Sequence, residues 1–439
     1  WKENYSLVNN LKIRLSTVSE AAIGPIVTDL EPTPDEYKYY EGDVVFSLSG
    51  FSNESTHLIL IKDNVSNVYS VPPYNKGVFA KIIGGKKTLD VLTERDAVID
   101  VEPIIERSVS LDSLSITDLD IVLEDGNELY TYVSIEVDEK SPICAEHLFS
   151  LISSGKAEVS FDSNSFIGFY GLEGIDKPKE DIKPRRKGTI TVRNEGKGVG
   201  RVYVYRENRV LAPSHTTVGS IVNGMEIIDI AQKDDVITFV SEQQRIMTLN
   251  TTQSEANELL DSLGIKQIRD GVTDDDAIIV EKSPHYTIDV LKEGKVFTKG
   301  INKEDLCLIE LTDEAPRSKW YLEKLSGLAE NPIGRLDVHF AVPGMKIVIF
   351  KGDTKNAKGL IPENVPTDVV KAGEIGITNM AAKNVGLIGI RFEDHVEFGP
   401  TAESFAATNI VGKVCGDFKT LEKLKDGDVL YVREFMPES

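Results

Sequence analysis

The feature that most constrains the fold is a seventeen-residue pattern that occurs three times without gaps, at residues 80–96, 219–235 and 412–428. Each copy begins on a small residue, has an aliphatic residue two positions later, and carries an apolar pair at helical i, i+3 spacing. Each copy ends on an aspartate that precedes a new apolar run. The pattern predicts a strand, a short helical turn and a second strand in every copy.

The repeating unit is a whole domain, because a strand that opens with glycine precedes every copy by roughly thirty to forty residues. These glycines are Gly42, Gly188 and Gly373. Further upstream, the second and third copies share a strand, an acidic turn and a helix whose first turn holds Pro142 or Pro316. Proline suits that position because the first turn of a helix needs no backbone N–H donor.

The three repeats define the domain organisation. We predict the first repeat at 1–103, the second at 129–242 and the third at 304–439. Residues 104–128 are predicted to connect the first two repeats, and residues 243–303 to form a small α/β insert before the third. The length of 439 residues agrees with about three domains of roughly 150 residues each.

The first repeat lacks the opening strand and the helix start that the other two repeats have. Its Trp1 aligns with Trp320 of the third repeat, at a point inside the predicted helix. We therefore expect the native protein to extend N-terminally beyond Trp1, while a cleaved or disordered start would give the same sequence.

The insert contains a well-marked helix. Thr251 or Thr252 is expected to cap its N-terminus, with Glu255 in the first turn. Gly264 is expected at its C-terminal end.

Charge and apolar patterning exclude two classes of partner. The net charge of −22 would repel the phosphate backbone of a nucleic acid, so we expect no nucleic-acid binding. No apolar run approaches the roughly 20 residues of a membrane span, so we expect a soluble protein with no membrane partner.

The cysteines and histidines indicate neither a disulfide framework nor a metal site. Cys144, Cys307 and Cys415 are odd in number and far apart, which is typical of a protein in the reducing cytoplasm. Cys307 and Cys415 lie in apolar strand contexts, so we interpret them as core thiols. The six histidines include no His-x-x-x-His pair, and the chain has no Cys-x-x-Cys motif, so we predict no bound metal.

The third repeat has the clearest barrel pattern. Its segments are rich in glycine, asparagine and proline around short alternating strands, as in a small closed barrel with tight loops. The order of its strands, its proline-started helix and its Phe398–Thr401 loop resembles the compact prokaryotic cyclophilin-like domain, an eight-stranded barrel capped by helices. We therefore predict a mainly β fold with α (α+β): tandem cyclophilin-like closed β-barrels capped by short helices, plus the small α/β insert.

Six motifs of the third repeat carry a more specific resemblance. They are Arg317–Trp320, Pro362–Asn364, Thr378–Met380, Gly386–Phe392, Phe398–Thr401 and Thr408–Ile410. Together with the tandem repeats, these motifs resemble the methanogenesis marker protein 3 family of methanogenic archaea. The chain departs from that family at residues 381–383, which are Ala-Ala-Lys instead of Ser-Arg-Lys, and at Ala402, where the family has glycine.

The resemblance implies a non-catalytic scaffold or adaptor subunit of the ATP-dependent complex that reductively activates methyl-coenzyme M reductase. The implied partners are that reductase and the subunits of its activation complex, including an ATPase. The chain alone would bind no cofactor, and its partners would carry ATP, iron–sulfur clusters and a nickel tetrapyrrole.

The loops of the third repeat are the predicted contact surface for another subunit of that complex. They concentrate glycine and amide residues, whose exposed donors and acceptors suit protein docking. An alternative for Arg391 is a salt bridge with Glu393. The predicted contact residues are Asn364, Asn379, Arg391, Gly399, Pro400, Thr401 and Asn409.

The alternative function is a cyclophilin-type peptidyl-prolyl isomerase or folding factor acting on the same reductase. Cyclophilins lower the barrier of roughly 20 kcal/mol for prolyl isomerisation with an arginine beside aromatic side chains. The third repeat has His339 and Phe340 at the corresponding strand but no arginine after them. The first repeat has Arg14 without a neighbouring aromatic residue, so we assign no catalytic residue. His215, in a loop of the second repeat, is interpreted as a solvated side chain.

Overall fold

The computed structural model describes residues 5–48, 51–72, 75–82, 84–101, 115–116, 120–342 and 344–435. Their fold is mainly β with a few short helices, as the sequence predicts. The chain forms two compact units, residues 1–111 and 112–439. Of the predicted connector, residues 104–114 and 117–119 lie outside the described residues. None of the described helices is both long enough and apolar enough to cross a membrane.

The first repeat forms an open sheet. Its elements are β1 (Ile13–Ser16), β2 (Glu20–Ile26), β3 (Tyr37–Tyr39), β4 (Asp43–Leu48), β5 (Thr56–Ile61), β6 (Val65–Asn67), β7 (Val78–Lys81) and α1 (Lys86–Asp90). Five antiparallel strands have the order β1-β2-β5-β4-β7, and β3 pairs with β6 separately. No strand among the described residues of this repeat joins the edges β1 and β7, so the predicted closed barrel is wrong here.

The second repeat curls into a partial barrel. Its elements are β8 (Val133–Val137), α2 (Pro142–Leu151), β9 (Lys156–Glu158), β10 (Phe161–Asp162), β11 (Phe166–Phe169), β12 (Thr189–Arg193), β13 (Val202–Tyr205), β14 (His215–Asn223), α3 (Met225–Ile230) and β15 (Val236–Ser241). The sheet has the order β10-β11-β13-β12-β14-β8-β15-β9. Its two edge strands, β9 and β10, are consecutive in the chain and pair with β15 and β11, respectively. Val159 and Ser160 connect them and donate their N–H groups to the carbonyl oxygens of Asp235 and Gly168 at 2.8 and 2.9 Å. The sheet is thus a curled partial barrel, and a closed barrel stays a prediction for this repeat.

The insert is a three-stranded sheet with two helices. Its elements are α4 (Gln253–Ser262), β16 (Lys266–Gly271), β17 (Ile278–Ser283), α5 (Thr287–Glu293) and β18 (Lys295–Ile301), with the sheet order β16-β18-β17. Of the two candidate caps, Thr252 caps α4. Its hydroxyl accepts the N–H of Glu255, and the Glu255 carboxylate accepts the N–H of Thr252.

The third repeat is a closed barrel of seven strands rather than eight. Its elements are β19 (Cys307–Leu311), α6 (Pro316–Ser326), β20 (Gly334–Ala341), β21 (Ile347–Phe350), β22 (Glu374–Thr378), β23 (Ile388–Arg391), β24 (Thr408–Cys415), α7 (Lys419–Glu422) and β25 (Val429–Glu434). The barrel order is β19-β24-β22-β23-β21-β20-β25. It closes because β19 pairs antiparallel with β24 and parallel with β25.

The seventeen-residue pattern is strand, helix and strand in the second and third repeats, as predicted. In the first repeat, a single bridge between Lys12 and Ala97 takes the place of the final strand. All three copies share one turn. The carboxylates of Asp96, Asp235 and Asp428 each accept the N–H of the residue three positions earlier, at 2.8, 2.7 and 2.8 Å.

In two of the repeats, a close backbone contact explains why the pattern begins on a small residue. Gly219 and Gly412 lie opposite β8 and β19, where a Cβ atom would be 2.3 Å from the carbonyl oxygen of Glu136 and 2.2 Å from that of Glu310. A larger residue would separate these strand pairs. Ala80 of the first repeat lies on β7, which is an edge strand among the described residues.

Helices α2 and α6 share an N-terminal cap that sequence analysis missed. Neither helix has a side-chain cap of its own. A glutamate from the loop before the glycine-led strand accepts two N–H groups of the first turn instead. Glu180 accepts those of Ile143 and Cys144 at 3.1 and 2.8 Å. In the third repeat, Glu363 accepts the N–H groups of residues 317 and 318 at 3.1 and 3.0 Å.

A buried charged cluster joins the second repeat to the third. His147 on α2 is fully buried, and its Nδ1 lies 2.8 Å from the Glu330 carboxylate, while its Nε2 lies 2.7 Å from the carbonyl oxygen of Gly200. Lys177 forms an ion pair with the same carboxylate at 2.8 Å. Burial raises the pKa of Glu330, but the hydrogen bond from His147 and the charge of Lys177 outweigh it and hold the pKa at about 2.

Candidate functional site

The three repeats can be compared at one position of the sheet, three residues after the strand-opening glycine. The residues next to this position in the strand belong to a core cluster of each repeat, so the side chain at the position itself faces the opposite side of the sheet. In the first repeat that opposite side holds a second core cluster, which includes Val45 and Ile59. We call that side the outer face. The position and its cross-strand partner are Val45 and Ile59, Thr191 and Tyr203, and Gly376 and Gly389.

The outer face of the first repeat carries a cleft of about 450 Å³. The apolar side chains of Ala22 and Ile59 line it from the middle of the sheet. The rim includes exposed apolar residues, of which Phe51 is 55% exposed. The lining residues are Arg14, Leu15, Glu20, Ala22, Ser47, Phe51, His57, Ile59, Val68, Tyr69 and Ser70.

The polar groups of this cleft are held by specific contacts. Arg14 donates from Nε to the carbonyl oxygen of Gly24 at 3.0 Å, and its side chain is exposed. Tyr69 donates its hydroxyl to the Glu20 carboxylate. Burial and this acidic neighbour raise the pKa of Tyr69. Nδ1 of His57 lies 2.8 Å from the carbonyl oxygen of Ser55.

Arg14 has no aromatic residue beside it in the sequence, but three side chains with rings share its cleft in the structure. Phe51, His57 and Tyr69 line the same cleft as Arg14. These residues come from β5 and from loops more than thirty positions away in the sequence. Only the antiparallel order β1-β2-β5-β4 places them on one face, so the spacing along the chain gave no signal.

The second repeat occupies the same face with its own side chains. His215 is buried, with Nδ1 3.1 Å from the Thr191 hydroxyl and 3.4 Å from the Tyr205 hydroxyl. Tyr203 packs against the imidazole, with 5.2 Å between ring centroids. Burial and, to a smaller extent, the charges of Arg185 and Arg193 lower the pKa of His215 to about 4. The interpretation of His215 as a solvated loop residue is therefore wrong.

The third repeat covers this face with a loop of its own. A Cβ atom on Gly376 would be 2.7 Å from Cδ of Pro400, and one on Gly389 would be 2.1 Å from the carbonyl oxygen of Pro400. Arg391 donates from Nε to the carbonyl oxygen of Gly399 at 3.0 Å, which fixes the loop on the sheet. Because Gly376 and Gly389 have no side chains, the loop with Gly399 and Pro400 can pack directly on the sheet.

The predicted contact residues of the third repeat serve mainly to attach its loops to the barrel. Asn379 and Asn409 are fully buried, and Nδ2 of Asn379 donates to Oδ1 of Asn409 at 3.1 Å. Asn409 also donates to the carbonyl oxygen of Ile361 at 2.7 Å. Asn364 is half-buried and donates to the carbonyl oxygen of Ile410 at 3.1 Å.

The expectation that these residues expose their donors and acceptors is wrong. Arg391 is buried and bonds a carbonyl oxygen, and none of the ion pairs of the described residues joins it to Glu393. Thr401 is buried, and its hydroxyl has no hydrogen-bond partner. Gly399 and Pro400 are buried as well. A partner contact through these loops stays a prediction, and it would use other side chains.

The remaining candidates form no reactive centre. His339 is exposed on β20, and Phe340 is half-buried beside it. Burial raises the pKa of Cys144 and of Cys307 to about 12, so both thiols stay protonated. Among the residues that the structure describes, no three His, Cys, Asp or Glu side chains are grouped to bind a metal ion.

These observations define a mainly β protein that contains one closed seven-stranded barrel among its described residues. A family model described as "Putative peptidyl-prolyl cis-trans isomerase domain" matches residues 307–435, which is the third repeat. Among solved structures, an uncharacterized B. cereus protein is similar with a TM-score of 0.23 and 11% identity, covering 26% of this chain and 35% of that one.

Several relatives match nearly the whole chain. A UPF0288 protein of Methanothermobacter thermautotrophicus is 52% identical over 434 residues, covering 99% of this chain and 83% of that protein. A UPF0288 protein of Methanococcus aeolicus is 39% identical, with 99% and 85% covered, and one of Methanosarcina barkeri is 36% identical, with 99% and 84% covered. The chain therefore belongs to the UPF0288 protein family.

Proposed function

We propose that the protein is a non-catalytic scaffold or adaptor subunit of the ATP-dependent complex that reductively activates methyl-coenzyme M reductase. The proposal assigns ATP, iron–sulfur clusters and the nickel tetrapyrrole to partner subunits. The occurrence of the family in methanogenic archaea supports it.

The observation that carries the non-catalytic role is the covered outer face of the third repeat. This is the domain that matches the isomerase-like family model. The Pro400 carbonyl oxygen approaches Gly389 so closely that even a methyl group at that position would collide with it. A substrate peptide could reach this face only after the loop 395–404 had left it.

Exposed apolar side chains on the same loops are the better candidates for a partner contact. Val396 is 76% exposed, and Met380, Phe398 and Ile361 are exposed as well. Met380 directly follows the buried Asn379, and the carbonyl oxygen of Ile361 accepts a hydrogen bond from the buried Asn409. Apolar residues grouped on fixed loops are typical of the central part of a protein–protein interface.

The proposal is tested by purifying the tagged protein from its native cells and identifying the proteins that accompany it. We expect the reductase and an ATPase with the wild type, and their loss with the double variant Met380→Asp and Val396→Asp. Val222→Asp is the control and should retain them, because Val222 lies on β14 of the second repeat and is 56% exposed. A wild-type preparation without the reductase and the ATPase would contradict the proposal, whereas retention by the double variant would move the contact to another surface.

The cleft of the first repeat supports a second candidate function, a prolyl isomerase or folding factor for that reductase. It combines an arginine with aromatic and imidazole side chains. A proline tetrapeptide assay separates the two functions, and under the scaffold proposal we expect no acceleration. Acceleration that is lost with Arg14→Ala or Phe51→Ala but kept with Arg95→Ala, an exposed arginine outside the cleft, would establish the isomerase instead.

A further inference from the structure

One stretch of the second repeat has a charge opposite to that of the rest of the chain. Residues 177–209 contain eleven lysines and arginines and only four aspartates and glutamates, in a protein with a net charge of −22. Several of these basic residues are neutralised within the fold. Lys179 pairs with Glu195, Lys183 with Asp138 and Asp181, Lys187 with Asp229, and Arg201 with Glu173.

Three arginines at one end of β12 and β13 are not neutralised in this way. None of the ion pairs between described residues includes Arg185, Arg186 or Arg209. Arg185 and Arg209 lie directly opposite each other on two loops that exchange backbone hydrogen bonds, at 3.0 and 2.5 Å. Side chains of directly opposed residues project to the same side, so two guanidinium groups are held close together. Glu207 is exposed nearby and forms no ion pair with them.

Neutral groups fix two of the three arginine side chains, those of Arg185 and Arg209. Arg185 donates from Nε and Nη2 to the carbonyl oxygen of Val210 at 3.0 and 2.7 Å, and from Nη1 to the Tyr205 hydroxyl at 2.9 Å. Its guanidinium also lies over the Tyr205 ring, 5.0 Å from the centroid. Arg209 donates to the Ser165 hydroxyl. These partners supply no negative charge to neutralise the guanidinium groups. Because they already hold the side chains in place, binding an anion would cost little further side-chain entropy.

Apolar side chains stand beside this charge. Val210 is 81% exposed, and Leu211 next to it is 46% exposed. A ligand that satisfies the whole surface therefore needs both negative charge and an aliphatic group. A nucleic acid offers phosphates without such a group, and the acidity of the rest of the chain would repel its backbone.

We propose that Arg185, Arg186, Arg209, Val210 and Leu211 form a binding surface for an acidic segment of a partner protein. In that segment, carboxylates would pair with the guanidinium groups and an aliphatic side chain would contact Val210. The fork of N–H donors on arginine suits bidentate pairing with carboxylates. The inference stands apart from the proposed function, because it uses another repeat and a different kind of contact.

The test measures fluorescence anisotropy of a labelled hexapeptide, Glu-Glu-Asp-Leu-Glu-Glu, with the full chain at low salt. We expect binding that weakens with added salt, and no binding of the analogue in which glutamine and asparagine replace the acidic residues. Arg209→Glu and Arg186→Glu should each weaken binding about tenfold or more. Two variants are used because Arg209 also contacts Ser165, and unchanged thermal unfolding shows that each is folded.

Lys197→Glu is the matched control. Lys197 is exposed in the same stretch, forms no ion pair among the described residues, and lies at the other end of the strands. Its reversal changes the net charge equally and should leave the affinity within about twofold. Equal weakening by Lys197→Glu, no binding by the wild type, or tighter binding of a single-stranded oligonucleotide would each overturn the proposal.

Discussion

The first and third repeats differ at the equivalent face of their sheets. In the first repeat, Val45 and Ile59 are buried in a core cluster with Tyr39 and Tyr69, and Ile59 also lines the cleft that contains Arg14. In the third repeat, two glycines at the equivalent positions admit a loop that packs directly on the backbone. The two repeats thus differ in what packs on this face, which is side chains of the repeat itself in the first and the backbone of a loop in the third.

The second repeat is intermediate between these two. Thr191 and Tyr203 occupy the positions of the glycine pair, and the face is occupied by side chains rather than by a loop. His215 is buried there among tyrosines. The equivalent face of the sheet therefore carries a cleft in the first repeat, aromatic side chains in the second and the backbone of a loop in the third.

The largest effect is expected where the third repeat is most tightly closed. Gly389→Ala places a methyl group about where the Pro400 carbonyl oxygen lies, because its Cβ would be 2.1 Å from that atom. We expect a loss of about 3 kcal/mol in the free energy of unfolding of this repeat. Scanning calorimetry measures it. Gly84→Ala, which has no atom within 4 Å of its Cβ, is the control and should leave stability within about 0.5 kcal/mol. Equal stability of the two variants would mean that the loop does not pack on the glycine pair.

The second prediction concerns pH and the second repeat. The pKa of His215 is about 4 when folded, below its ordinary value of 6.5, so protons bind more readily to the unfolded chain between these values. Its contribution to stability is complete above pH 6.5 and is lost as the pH falls towards 4, by about 2 kcal/mol. Hydrogen exchange of peptides from β12 to β14 measures it, and His215→Gln should remove this part of the pH dependence. A pH dependence identical in the variant would contradict a buried neutral imidazole.

A smaller effect is expected from the proline that covers the third repeat. Pro400→Ser removes ring atoms that pack on Gly376 and should cost about 1.5 kcal/mol. Trp320 on α6 reports on this repeat by fluorescence during urea unfolding, in a Trp1→Phe background that removes the other tryptophan. Pro362→Ser, at an exposed proline of the same repeat, should leave the midpoint unchanged. The same midpoint for both variants would show that the ring adds nothing to closure.

The smallest effect is expected at the turn that all three repeats share. Asp428→Ala removes one hydrogen bond to the N–H of Lys425 and should cost about 1 kcal/mol. Asp428→Asn keeps an oxygen acceptor and should recover most of the loss, as measured by the same Trp320 fluorescence. A loss equal for alanine and asparagine would assign the effect to charge rather than to the hydrogen bond.

Local features made much of the fold predictable. The aspartate turn involves residues three positions apart, and the apolar spacing of each repeat follows from the period of its own helix or strand. The proline-started helices α2 and α6 were predicted for the same reason. Their glutamate caps were not, because Glu180 and Glu363 lie more than thirty residues away along the chain.

The candidate site was far less predictable. The amide-rich loops of the third repeat predict exposed polar groups by composition, yet Asn379 and Asn409 bond to each other inside the fold. Composition shows which side chains can form hydrogen bonds, but it does not show whether their partners are solvent, another protein or residues of the same chain. In the same way, no spacing along the chain connects Arg14 with Phe51 or Tyr69.

The sequence by itself therefore determined the repeats, their local elements and a mainly β fold, since these depend on contacts between near neighbours in the chain. Only the tertiary structure decided which repeat closes and which outer face is open. Closure of the barrel requires that β19 pairs with both β24 and β25. Access to the outer face depends on whether a loop packs on Gly376 and Gly389. Both are contacts between residues distant in sequence, and their geometry is set when the sheet curls.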